Sequence, residues 1–187
     1  MKEVSISTLF ILTLITLVHG ISFSEENDKS SSTERKFRPR LEVSVGSRIG
    51  HKPDESDGYL SSIILDFSNK ISKHSEISIR TIPLFTYIQG SELDNVYGIG
   101  IGCAYRAFLK ESFVKTPYIE FHEVFCIHEN YFEDNNSNVN FNTAISIGYQ
   151  FNHNLDISLR LSHISNANLK ENNDSTNILS FSTGYRF

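Results

Sequence analysis

The chain has 187 residues, with 22 Asp and Glu against 17 Lys and Arg, and a net charge of -5 at pH 7. That length supports one domain with a real core, and the acidic balance excludes nucleic acid as an implied partner. Beyond the N-terminus no apolar run approaches the ~20 residues that a membrane-spanning helix needs, yet aromatic residues are plentiful, with 14 Phe, 8 Tyr and no Trp.

Residues 1–20 read as a secretory signal peptide. Lys2 precedes an apolar run from Val4 to Val18, and Val18-His19-Gly20 offers a small residue for cleavage. Residues 21–40 are Ser-rich, charged and poor in apolar residues, which predicts a flexible leader. Pro39 marks its boundary, and residues 41–187 form the folded domain.

From there, segments of alternating character recur. Leu41, Val43 and Val45 alternate with Glu42, Ser44 and Gly46; Tyr59, Ile63, Leu65 and Phe67 alternate with Ser62, Asp66 and Ser68. Period-two alternation places each set on its own face of a strand. The third segment, Glu76 to Ile88, changes phase near Pro83, which predicts a bulge. In the fourth, Tyr97, Ile99, Ile101 and Tyr105 oppose Gly98, Gly100, Gly102 and Ala104. In the fifth, Ile119, Phe121, Phe125 and Ile127 oppose Glu120, His122, Cys126 and His128, with Glu123 on the wrong face. Cys103 and Cys126 have opposite parity, which argues against a disulfide. The sixth segment runs from Phe141 to Phe151, and two more close the chain, Leu155 to Ser165 and Asn177 to Phe187.

The face of each strand opposite the large apolar residues is rich in Gly, Ala, Ser and charge. An eight-stranded barrel has a lumen just wide enough for packed side chains, so the small and charged residues belong inside. Glu42, Asp66, Glu120 and Asp156 can pair there with Arg48, Arg106, Arg160 and Arg186. The large apolar face then meets lipid. Short turns alternating with longer acidic loops complete the signature of an eight-stranded antiparallel transmembrane β-barrel. His122, Glu120 and His128 share the inward face of one strand, and a lumen hydrogen-bond network is favoured there over a metal site.

The last hairpin carries the chemistry. His163 and Ser165 share the parity of Leu161, and Asn177 shares that of Leu179. A hairpin therefore gathers three polar groups at the external end of an outward apolar face. A Ser hydroxyl beside a His base oriented by a third group suits acyl transfer. At the outer-leaflet level such a nucleophile can meet acyl esters of a lipid without extracting it.

The residues His163-Ile164-Ser165-Asn166-Ala167, followed by Leu169, Asn173 and Asn177 and closing with Gly184-Tyr185-Arg186-Phe187, resemble the lipid A 3-O-deacylase family of PagL-like outer-membrane acyl hydrolases. The resemblance implies Ser165 as nucleophile, His163 as general base and Asn177 as the third group. It further implies that Asn166, with backbone N–H groups near Ala167 and Asn168, stabilises the oxyanion. The substrate would be lipid A of lipopolysaccharide in a Gram-negative outer membrane, cut at its 3-O-linked hydroxyacyl ester, with no metal or cofactor implied; a homodimer is left open. One departure stands out: the best-known enzymes of this family carry Glu where this chain has Asn177. Glu171 or Asp174 could substitute for it, and Ser175 stands where a Gly is expected. Two rival readings remain, a non-enzymatic barrel of the OmpA or OmpX kind and a secreted β-sandwich with its apolar face buried.

Overall fold

The computed structural model describes residues 38–50, 57–90, 93–132, 135–170 and 175–187. The predicted signal peptide, nearly all of the leader, and Glu171, Asn173 and Asp174 lie outside the described residues. So do His51, Asp54 and other acidic positions of the longer loops.

Eight strands follow in order: β1 (Arg38–Arg48), β2 (Tyr59–Lys70), β3 (Ser75–Ile88), β4 (Val96–Phe108), β5 (Thr116–Glu129), β6 (Val139–Gln150), β7 (Leu155–Ser165) and β8 (Thr176–Arg186). Each pairs antiparallel with its neighbours, and β1 pairs with β8, so the sheet closes into the expected barrel. The alternation explains the two walls. Val45, Ile101, Ile147, Leu159 and Phe181 stand exposed on the outer wall, Ile147 to 67%. That is where a lipid-spanning barrel needs them and where a soluble sandwich would not tolerate them. Cys103 faces outward half-buried, Cys126 faces inward buried, and both thiols are free.

The bulge predicted near Pro83 is present. The pairing of β3 slips against β2 between Thr81 and Leu84 and against β4 between Ile82 and Phe85. Ser78, Arg80 and Ile82 point inward before it, Phe85 and Tyr87 after it. Proline has no N–H to give to a ladder, so the irregularity costs least there.

The strand boundary differs from the sequence reading. β1 begins at Arg38, inside the expected leader, and Arg40 is the centre of the lumen charge network. Its guanidinium meets Asp156 bidentately at 2.6 and 2.8 Å, Glu42 at 2.6 Å and Asp66 at 3.0 Å. Arg80 grips both oxygens of Asp66 at 2.8 Å and reaches Glu120 at 2.9 Å. Arg106 also bonds Glu120, Arg160 pairs with Glu42 at 2.6 Å, and Arg186 meets Glu76 bidentately. Arginines and carboxylates are matched one for one in this set. Arg40, Glu76 and Arg80 join the residues anticipated from parity, while Arg48 stands half-buried at the far end of β1. Gly184 is required beside Arg40, because a Cβ there would run into the guanidinium.

The other half of the lumen departs from expectation. An apolar cluster of Leu60, Ile64, Ile82, Phe85, Tyr87, Val96, Val124, Phe132, Ile164 and Ile178 packs there, beside the buried polar His128, Asn135 and Asn140. The cause is local: Ile64 lies between the outward Ile63 and Leu65, and the bulge turns Phe85 and Tyr87 inward. Gly98 makes room for the Phe85 ring. At the opposite end, the 109–115 turn is as long as the 89–95 loop, so the asymmetry of the connections is softer than predicted. That turn folds Phe113 against Phe108, ring centroids 4.4 Å apart, with Tyr118 beside them and Lys70 Nζ 3.9 Å over the Phe113 ring.

Replacing Arg40 with Met removes a cation shared by three buried carboxylates. The expected loss is about 3–5 kcal/mol, read as a lowered urea midpoint for the detergent-folded barrel; an unchanged midpoint would show the network to be energetically idle.

Candidate active site

The β7–β8 register brings two of the candidate residues face to face. His163 lies directly opposite Asn177, one pair from the external end of the ladder. His163 Nδ1 and Asn177 Oδ1 are 2.9 Å apart. An amide oxygen only accepts, so Nδ1 carries the proton and Nε2 keeps its lone pair. The His163 ring is exposed on the outer wall and Asn177 is half-buried.

Ser165 is the last residue of β7, two positions beyond His163 on the same face and roughly 6.6 Å along the strand. It is 4% exposed and lies opposite Phe141 of β6. Alternation alone accounts for His163, Ser165 and Asn177 sharing a wall, and the strand ends account for their common level.

The chain then turns sharply. Ala167 and Asn168 both adopt left-handed backbone, with φ of 53° and 63°. Asn tolerates this region and Ala does so at some cost, so the turn needs external support. Asn166, fully buried, supplies it. Its Oδ1 accepts the Asn168 N–H at 2.9 Å, its backbone oxygen accepts the Leu169 N–H at 3.0 Å, and its Nδ2 donates to Asn135 Oδ1 at 3.2 Å. Asn166 therefore holds the turn. The Asn168 N–H is taken by that side chain.

Behind Asn166 runs a chain of side chains that the sequence reading missed. Asn135 Nδ2 donates to Asn140 Oδ1 at 2.9 Å, Asn140 Nδ2 to His128 Nε2 at 2.7 Å, and His128 Nδ1 to the Asn130 carbonyl at 2.9 Å. Asn135 and Asn140 are almost wholly buried. Asn135 sits in the β5–β6 loop, where no periodicity marks it; the run of Asn from 135 to 142 was the available signal. His128 is thus a member of a lumen hydrogen-bond network. So is His122, whose Nδ1 accepts from Arg80 Nη1 at 2.5 Å and whose Nε2 faces Asn142 Oδ1 at 3.4 Å. No cluster able to hold a metal occurs among the described residues.

Comparison with known proteins bears on the family and the fold. The family model for lipid A 3-O-deacylase (PagL) matches residues 57–186. Among solved structures, that of the outer membrane enzyme PagL aligns with a TM-score of 0.56 at 20% identity, covering 79% of this chain and 98% of that one. At that identity the likeness is one of fold. A de novo designed transmembrane β-barrel follows with a TM-score of 0.47 at 8% identity, over 82% of this chain and 98% of that one. Ail, the attachment invasion locus protein of Yersinia pestis, gives 0.43 at 11%, over 81% and 99%. Among curated proteins the chain finds no match.

Truncating Asn135 to Ala takes the acceptor from Asn166 Nδ2 and the donor from Asn140 together. A loss of about 1–3 kcal/mol is expected, with faster hydrogen exchange in the 166–170 turn. Wild-type protection of that turn in the variant would show that the chain of Asn side chains does not hold it.

Proposed function

Because the chain belongs to the lipid A 3-O-deacylase (PagL) family, an outer-membrane lipid A hydrolase, we propose that it cleaves its ester through an acyl-enzyme on Ser165. The hydrogen bond from His163 to Asn177 is the observation that carries this reading. It fixes the imidazole tautomer with Nε2 free to act as a base, on the wall that faces lipid.

The steps follow from that tautomer. His163 Nε2 takes the Ser165 Oγ proton as the oxygen attacks the ester carbonyl carbon. The tetrahedral oxyanion accepts the Ala167 N–H, which belongs to the turn that Asn166 braces. Collapse breaks the bond to the sugar oxygen, which leaves with the proton now on Nε2. Water then repeats the sequence on the acyl-enzyme, releasing a hydroxy fatty acid and restoring Ser165. We place the cut at the 3-position, as the family description names it, and assign residues 1–20 to a signal peptide removed on export.

Asn177 in place of a carboxylate has a defined consequence. The amide orients the ring but brings no charge to stabilise imidazolium.

Mass spectrometry of lipid A incubated with detergent-folded protein tests the reading. Wild type is expected to remove one hydroxyacyl mass and Ser165→Ala none; unchanged lipid A with a well-folded, heat-modifiable wild-type barrel would sink the esterase. Within the active protein, Asn177→Ala should lower kcat by about 10–100-fold. Asn177→Glu should raise it, about tenfold for each 1.4 kcal/mol of imidazolium stabilisation gained. A slower Asn177→Glu enzyme would refute the assigned role.

A further inference from the structure

The site does not stop at the hairpin. Following the register sideways from His163, Thr143 lies opposite it on β6, Glu123 opposite Thr143 on β5, and Cys103 opposite Glu123 on β4. With Asn177 on β8 this makes a polar row across five strands of the outer wall. Around Glu123 the wall is apolar. Phe121 and Phe125 flank Glu123 on its own strand, and Ile145 and Phe141 stand opposite them on β6, with the Phe125 and Phe141 rings edge to face at 5.7 Å.

Glu123 is the anomaly in this row. It carries the parity of Ile119, Phe121, Phe125 and Ile127, so its side chain belongs to the lipid face, yet it is only 8% exposed. One carboxyl oxygen, Oε2, accepts the Thr143 hydroxyl at 2.5 Å. The other, Oε1, is buried with no hydrogen-bond partner among the described residues. An ionisable group set into the hydrocarbon wall is expensive and marks function by default. An orphaned buried oxygen demands a partner. None of the described residues provides one, which leaves the place to what occupies the wall.

Position narrows the chemistry. β5 runs six residues beyond Glu123, to Glu129, whereas β7 ends two beyond His163. The row therefore slants inward from the site, and Glu123 lies about 10 Å across the wall from His163, two strand spacings away, at the level of acyl chains. A headgroup phosphate or a cation bound to one does not belong there. A hydroxyl both donates and accepts, so it satisfies Oε1 whether the carboxyl is neutral or ionised. A methylene satisfies it in neither state.

We infer that Glu123, oriented by Thr143, is a specificity-determining residue that binds a hydroxyl carried on an acyl chain of the lipid substrate. The inference rests on the esterase reading for its substrate and adds to it a subsite that selects hydroxylated over plain acyl chains. Glu123 touches no reacting atom, and its effect falls on substrate choice.

Two synthetic lipid A analogues test it, one bearing acyl-chain hydroxyls and one lacking them all. Wild type should favour the hydroxylated analogue by about tenfold in kcat/KM, the worth of one buried hydrogen bond. Glu123→Leu should bring that ratio close to one by slowing the hydroxylated analogue alone, and Glu123→Gln should keep part of the preference. Equal loss on both analogues, or no loss on either, overturns the subsite and shows the carboxyl to be structural. Binding separates this outcome from a failure of the esterase. Titrated in detergent micelles, catalytically silent Ser165→Ala should bind the hydroxylated analogue more tightly, and adding Glu123→Leu should remove the difference. That pattern supports the subsite even where no deacylation occurs; deacylation with no such preference overturns it and leaves the esterase standing.

Discussion

A backbone crossing hydrocarbon has no water to satisfy its N–H and C=O groups, so every one must find its partner within the protein. Here that constraint is met at the β1–β8 seam, where Arg40 to Arg48 pair with Arg186 to Ile178 and leave no sheet edge. Closure at eight strands then dictates the rest. The lumen is just wide enough for side chains to fill. One half takes an interlocked set of arginines and carboxylates, and the other takes a packed apolar cluster.

A filled lumen also gives stiffness, and the site depends on it. His163 and Asn177 meet because two strands hold a fixed register, and register is strongly specified when one face is packed. The turn after Ser165 depends on the interior even more directly. Asn166 opens the turn that carries Ala167, and its amide is tied through Asn135 and Asn140 to His128 on the inner wall of β5. Two consecutive left-handed residues, one of them Ala, are strained backbone, and such strain persists where the surroundings over-determine it. The inner network provides that over-determination.

Much of this was legible in the sequence because a strand has a period of two. Parity alone placed His163, Ser165 and Asn177 on one wall, predicted the bulge at Pro83 and kept Cys103 from Cys126. What escaped it had physical causes. Parity cannot say which way a segment faces when both faces are apolar, as at Ile63, Ile64 and Leu65, so the apolar half of the lumen went unseen. The start of β1 was hidden because Arg38, Pro39 and Arg40 read as a charged leader until the lumen gives Arg40 its partners. Asn135 lies in a loop, where contacts are made by tertiary position and not by spacing. Glu123 was visible as an exception, but its meaning required the register that sets it two strands from His163.

The exception and the departure bear on each other. A carboxylate beside imidazole serves a hydrolase by stabilising positive charge, and Asn177 gives that up while keeping the tautomer. The acidic group that the outer wall does carry sits across Thr143, turned toward Thr143 and not toward the His163 ring. Its distance denies it a direct hydrogen bond to the ring, and in low dielectric a charge so far from its partner would be a net burden. Glu123 is therefore not a displaced third member of a triad. On the proposed reading the wall retains a carboxyl to recognise a polar group on an acyl chain and an amide to orient a base. Orientation and recognition are thereby divided between two strands of a single polar row.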